Sequence, residues 1–381
     1  MNKIEFLNID STDNYSKNIY SNIEFNKNDL ISKKLVINQS QPIICKAPNF
    51  FNKNDELFFF GKPKEQFNSY YNFSPIAITS FDFCTLINDI YALVTHDNYV
   101  IKDSYFNDNL FSNQTDYLRN NLTINLGNGL TNVEFFLHKK NNIEFELIDE
   151  ECFLVPYYWH FNYHHWLIEC LVRIKYLNEF DKEKKLKIIL PNNMNSFQKE
   201  SIKLLDIPEE NIIYLDKNYR FKKLYFSSLG NFSHNEISWL REYIFNKLSI
   251  IPKSEKKYYI SRNDANQRRI NNESDLINLL KEQDFEILEL TKYSFIEQVK
   301  IFSQAKVIIA PHGAGMTNMI FTPSDCNIIE LAPNDQVNHC FWLLSNVLNL
   351  DYYFITGQIV SSNRDFIINQ SNIIDLLNQV K

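Results

Sequence analysis

Residues 310–318 read Ala-Pro-His-Gly-Ala-Gly-Met-Thr-Asn and follow an apolar run, Lys306-Val307-Ile308-Ile309-Ala310. The run predicts a short buried strand, and Met316 to Phe321 predicts the helix that continues from the turn. A strand, a glycine-rich turn and a helix N-terminus together suit an anion, because backbone N–H groups and the helix dipole both favour negative charge there. Gly313 and Gly315 permit positive φ and leave no Cβ in the way of a phosphate. His312 adds a donor that can carry charge near neutral pH. A plain turn without a ligand fits a bare Gly-x-Gly as well. The chain has only 7 glycines, however, so two within three positions is a concentrated use of a scarce residue.

Downstream, Asn327-Ile328-Ile329-Glu330-Leu331 predicts a second strand with Glu330 at its carboxyl end. A carboxylate in that place can accept hydrogen bonds from ribose hydroxyls, unless it merely caps the strand. Arg262 directly follows a third expected strand, Tyr258-Tyr259-Ile260, and Arg268 and Arg269 come soon after. A guanidinium fork there can hold a diphosphate, with a solvated loop as the plainer reading of Arg268 and Arg269. His165 and Glu169 are spaced i, i+4 and share a face if the segment is helical. A carboxylate so placed can orient an imidazole that acts as general base. Glu169 itself as the base, or a buried hydrogen-bonded histidine beside Trp166, fits the same spacing. Arg173, one step further on, can pair with Glu169 or hold an anion, whereas His164 sits about 100° around the helix.

Three segments in order carry a resemblance. His312-Gly313-Ala314-Gly315-Met316-Thr317-Asn318, with Phe321-x-Pro323 and Ile329-Glu330, resembles the signature of glycosyltransferase family 61. That group includes capsule-type bacterial transferases, plant xylosyl- and arabinosyltransferases and animal protein O-linked GlcNAc transferases. Asn162-Tyr163-His164-His165-Trp166-Leu167-Ile168-Glu169-Cys170-Leu171-Val172-Arg173 resembles the family's Asn-aromatic-Gly-His-Trp-x-x-Asp/Glu-x-Leu-Pro-Arg pattern. His164 stands where glycine is usual and Val172 where proline is usual. Tyr259-Ile260-Ser261-Arg262 and Arg268-Arg269-Ile270-Asn271-Asn272-Glu273 are similar to its Ile-Ser-Arg and Arg-x-x-x-Asn-Glu block. The resemblance covers roughly residues 90–335. It implies an inverting, metal-independent transferase that takes a nucleotide-sugar, in the first instance a UDP-sugar, to a hydroxyl of a glycan or lipid-linked glycan such as capsular or lipo-polysaccharide. In this reading His165 and Glu169 are catalytic. His312, Gly313, Ala314, Gly315, Met316, Thr317, Asn318, Arg262, Arg268 and Glu330 bind the donor, and Asn162, His164 and Arg173 lie on the acceptor side.

The elements that must position these residues alternate between strand and helix from residue 151 onward, which predicts parallel, Rossmann-like sheets. The expected fold is α/β and GT-B-like, with two Rossmann-like domains facing a cleft and a β-rich N-terminal extension. Residues 1–150 are expected to pack on the acceptor half. Residues 151–252 form the acceptor domain, 253–362 the donor domain and 363–381 a C-terminal helix that crosses back onto the first half. The extension should contain a hairpin at 91–101 and strands at 135–137 and 144–148. With 381 residues, 44% hydrophobic and 15% aromatic, the chain can bury cores for two domains. A net charge of −7 argues against a nucleic-acid partner. The six cysteines form no Cys-x-x-Cys pair, no Asp-x-Asp pair lies near the glycine turn, and Asp325 stands alone. No metal and no cofactor are therefore expected. The N-terminus shows no signal-peptide core and no run reaches the eighteen or so apolar residues of a membrane span. A cytoplasmic protein is expected, with peripheral inner-membrane contact compatible with a lipid-linked acceptor. Two other classes share some of these features. One is a non-catalytic nucleotide- or carbohydrate-binding protein. The other is an NAD-dependent oxidoreductase, which the missing third glycine, replaced by Asn318, disfavours.

Overall fold

The computed structural model describes residues 6–7, 33–38, 42–50, 53–60, 70–72, 76–88, 91–94, 100–101, 145–157, 159–227, 233–335 and 338–380. The chain is mixed α/β and forms two compact units. One gathers residues 1–40, 73–195 and 205–231, and the other 41–72, 196–204 and 232–381.

The first unit is built on a nine-stranded sheet. Its parallel part runs in the order Tyr219–Ser227, Glu146–Leu154, Lys187–Pro191, Ile212–Leu215. The long strand Ile76–Ile87 pairs antiparallel with Tyr219–Ser227 and carries Lys33–Asn38 beside it. The hairpin expected at 91–101 forms from Ala92–Val94 and Val100–Ile101. Its turn at 96–98 and the strand expected at 135–137 lie outside the described residues. Phe81, Leu86, Leu154, Ile189, Phe221 and Leu224 close the core of this sheet. The strand Tyr219–Ser227 was not apparent from hydrophobic runs, because Arg220 and Lys222 interrupt it; both are exposed, while Tyr219 and Phe221 between them are buried. That alternation marks a sheet with one wet face.

The first parallel strand connects to the second through a helical segment of unusual pitch. Asn162 caps it, its side chain accepting the His164 backbone N–H at 2.9 Å. The segment opens as an α-helix over Tyr163–His165, widens into a π-helix over Trp166–Leu171 and returns to α over Arg173–Phe180. The sequence predicts a helix over 165–177 and gives no sign of the π turn. Every residue of that turn is buried.

The second unit holds a seven-stranded sheet. Five parallel strands run in the spatial order Phe285–Leu288, Lys256–Ile260, Ala305–Pro311, Asn327–Pro333, Asp351–Ile359. In chain order this is 2-1-3-4-5. Strands covered on both faces read as continuous apolar runs, and Ile308 to Pro311 and the whole of Asn327–Pro333 are buried. The helix Glu273–Glu282 makes the first crossover, and Phe295–Phe302 starts with a capping box in which Ser294 and Glu297 satisfy each other's backbone N–H. Two expectations need correction here. Residues 41–72 join this unit, through Asn49–Phe50 added parallel to Asp351–Ile359 and the Trp342 indole N–H donated to the Lys46 carbonyl at 2.8 Å. The C-terminal helix Gln370–Leu377 packs in this unit's own core, with Ile373 and Leu376 beside Tyr259, Ile309 and Phe366. Its apolar face thus finds a partner within the unit. No described helix is long and apolar enough to span a membrane.

Candidate active site

In a 2-1-3-4-5 sheet the crevice opens between strands 1 and 3, beyond their carboxyl ends. Here those strands are Lys256–Ile260 and Ala305–Pro311. Ser261-Arg262 leaves the first and His312-Gly313 leaves the second, so the topology brings these motifs together.

The glycine turn does not work as the sequence suggests. Gly313 has φ 179°, an extended conformation open to any residue. Its requirement is space: a Cβ there would collide with the Arg262 guanidinium, and one on Gly315 would lie 2.6 Å from Leu290 Cδ1. The following residues, Ala314–Phe321, form a 3-10 helix rather than an α-helix. Met316, Thr317 and Asn318 are buried within it. Asn318 donates to Gln298 Oε1 at 2.9 Å and to the Gly315 carbonyl at 3.1 Å, so its amide braces the turn. His312, Ala314 and Gly315 remain partly exposed.

Arg268 is near enough for its charge to depress that of Arg262. Burial, then Arg268, brings the Arg262 guanidinium down to about 10; burial, then Arg364, lowers Arg268. Arg262 Nη2 donates to the Gln267 carbonyl at 3.2 Å, while the Nε atoms of both arginines are buried without a hydrogen-bond partner. Two partly desolvated guanidinium groups side by side are costly unless an anion joins them. Arg268 also holds φ 57°, in the left-handed region, with its N–H bonded to the Asn363 carbonyl at 3.0 Å. Such strain tends to collect at ligand clamps. Arg269 is bound to Asp365 instead, by backbone at 2.9 Å and guanidinium at 3.3 Å.

Glu330 is not at a strand end. It lies inside Asn327–Pro333, opposite Ala310, and is fully buried. One carboxylate oxygen meets His312 Nδ1 and the other accepts from the Tyr352 hydroxyl. The expected contact with ribose is therefore corrected: the carboxylate is already committed. A proton on Nδ1 facing Glu330 leaves Nε2 of His312 as the nitrogen outside that bond. Tyr352 is paired with Ile328, so it lies diagonally across from Glu330 on the same face of the sheet, which is how its hydroxyl reaches the carboxylate.

The first unit presents a similar trio past the carboxyl end of Glu146–Leu154. His165 Nδ1 lies 2.7 Å from Glu169 Oε2 and 2.7 Å from the Tyr157 hydroxyl, which also donates to Glu169 Oε2. The i, i+4 contact expected of His165 and Glu169 is present, across the start of the π turn. π segments recur at functional sites. The His165 side chain is 19% exposed, and burial pushes its imidazole down to about 4. Trp159 stacks on the ring at 6.0 Å. His164 is buried with its ring nearly perpendicular to that of His165. Arg173 is not placed to hold an acceptor anion: it is fully buried and its Nη1 donates to the carbonyls of Val155 at 2.9 Å and Pro156 at 3.4 Å. Asn162 serves as the helix cap. Tyr157 and Tyr352 are absent from any motif reading. The signal for Tyr157 was the aromatic run 157–161 between a strand-ending proline and the helix; for Tyr352 there was none, since its partner comes from the neighbouring strand.

Among the described residues no group of three or more His, Cys, Asp or Glu side chains is arranged to hold a metal ion. The cysteines at 45, 84, 152, 170, 326 and 340 are free thiols.

A parallel-rich α/β protein with guanidinium and imidazole groups gathered at strand ends is the class that fold and site define. The family model described as Glycosyltransferase 61 matches residues 163–329, a span that includes His165, Glu169, Arg262, Arg268 and His312. Over that span this region of the chain is similar to glycosyltransferase family 61. The EGF domain-specific O-linked N-acetylglucosamine transferase of Rattus norvegicus is similar to it, at 30% identity over 96 residues. That likeness covers 24% of this chain and 18% of the relative's length.

Proposed function

We propose that the protein is an inverting, metal-independent glycosyltransferase that moves a sugar from a nucleotide-sugar, a UDP-sugar first among them, to a hydroxyl of a surface glycan. Arg262 and Arg268 hold the diphosphate, and His312 steadies it through Nε2, oriented by Glu330. The acceptor oxygen attacks the anomeric carbon from the face opposite the diphosphate. The bond from that carbon to the diphosphate oxygen breaks, its electron pair stays with the diphosphate, and the acceptor proton passes to His165 Nε2. In this reading the two units act together as a GT-B enzyme. The observation that carries it is the pair of partly buried guanidinium groups with unpartnered Nε atoms, beside His312, at the crevice of a 2-1-3-4-5 sheet. Fixed cations and donors of this kind replace the cation that other transferases use to stabilise a leaving diphosphate.

A thermal-shift series with UDP, CMP, GDP and NAD separates this reading from its competitors. We expect UDP to raise the melting temperature and NAD to leave it unchanged; a shift with NAD alone overturns the assignment. A donor screen by mass spectrometry on lipid-linked and free glycan fragments then names the sugar. We expect transfer to persist in EDTA, and activity that vanishes in EDTA and returns with Mn²⁺ removes the metal-independent mechanism.

A further inference from the structure

Tyr157 belongs to no motif and yet touches both members of the histidine–glutamate pair. It is buried, and its ring meets that of His165 edge-on at 6.1 Å. The segment bearing it is pinned from behind, because Arg173 donates to the carbonyls of the two residues that precede it and lies 5.8 Å over its ring.

We propose that Tyr157 is a positioning residue that, together with Glu169, holds the His165 proton on Nδ1 and so keeps Nε2 as the proton acceptor. The inference rests on the reading of His165 as the base. Its warrant is a count of protons. Three atoms meet: His165 Nδ1, Glu169 Oε2 and the Tyr157 oxygen, with both distances from Nδ1 at 2.7 Å. The tyrosine has one proton to give. If it goes to the carboxylate, Nδ1–H is shared between Oε2 and the phenolic oxygen, and every atom is satisfied. If it goes to Nδ1 instead, the nitrogen lone pair faces the carboxylate oxygen with no proton between them, which is repulsive. The first arrangement leaves the lone pair on Nε2. The other groups around the ring are His164, 5.3 Å away and perpendicular, and the uncharged Trp159, with Arg173 behind Tyr157.

The test is the tautomer of His165 in the full-length protein labelled with ¹⁵N-histidine, read from long-range ¹H–¹⁵N spectra at pH 7 and assigned by the loss of signal in His165→Gln. Wild type should show a single neutral form protonated on Nδ1. Tyr157→Phe keeps the ring and removes the hydroxyl. It should add a population protonated on Nε2 and lower kcat roughly tenfold, the loss of about one hydrogen bond, with KM for the nucleotide-sugar unchanged. A wild-type spectrum protonated on Nε2 overturns the proposal, and this needs no variant to fold. So does a Tyr157→Phe protein with a single Nδ1–H tautomer and wild-type kcat. The spectra do not depend on turnover: if His165→Ala keeps full transfer, the base reading fails, while the tautomer shift in Tyr157→Phe still decides the role of the tyrosine.

Discussion

A histidine four residues before a glutamate carries chemistry only if something decides which nitrogen holds the proton. In this protein both candidate histidines, His165 and His312, meet a glutamate at Nδ1, and in each case a tyrosine hydroxyl donates to the same carboxylate. We expect His165→Ala to lower transfer about 10²–10⁴-fold, the usual cost of losing a general base, with UDP binding by calorimetry unchanged. Glu169→Gln should lose less, because the imidazole stays but its orientation weakens. The reverse order, with Glu169→Gln inert and His165→Ala active, assigns the base to the carboxylate. The pH dependence adds a second measurement. Burial pushes His165 down to about 4, so the neutral, proton-accepting form persists well below neutrality. The acid limb of kcat/KM should therefore fall near pH 4. A limb near 6.5, the ordinary value, means a ring that water reaches.

At the scale of the element, the glycine turn shows how a motif can be read correctly for place and wrongly for cause. Gly313 is extended, and it excludes a side chain because Arg262 lies against its backbone. The group that a Cβ would strike is the end of a flexible side chain, so the fold can survive the change. We expect Gly313→Ala to fold with a near wild-type melting temperature and to bind UDP roughly tenfold more weakly, since Arg262 must leave the position from which its fork reaches an anion. Undiminished UDP affinity in a folded Gly313→Ala protein takes Arg262 out of the donor site. The π turn over Trp166–Leu171 is the corresponding device in the first unit. It packs every one of its side chains while Glu169 meets the residue four places back.

For the whole molecule, buried neutral histidines tie stability to pH. His160 and His165 both stand at about 4 because burial disfavours their charged forms. Unfolded, each titrates near 6.5. Between these values the unfolded chain binds protons that the folded chain does not, so stability falls as pH drops from about 6.5 to 4. A urea-unfolding series over that range should show the decline, and His160→Phe should flatten it. A slope unchanged in His160→Phe indicates that the ring is hydrated in the folded protein.

Much of this protein is decided by the chain itself. Apolar runs such as Val307 to Ala310 and Asn327 to Leu331 become buried parallel strands wherever they lie, because only a sheet covered on both faces hides them. Strand–helix alternation then leads to parallel sheets, and the order of the motifs along the chain carries the resemblance to the family whose model matches residues 163–329. What depends on folding is which side chains meet across elements. Glu330 reads as a free acid at a strand end, but the strand runs on to Pro333 and the neighbouring strand brings Tyr352 to it. Arg173 reads as an anion ligand, but burial commits it to two carbonyls. Residues 41–72 read as part of an N-terminal region, but a sheet edge in the second unit takes their strand. Periodicity and spacing report contacts within one helix or strand, where neighbours are a few residues apart. Contacts between elements depend on register and crossover, and those are set only when the sheets assemble.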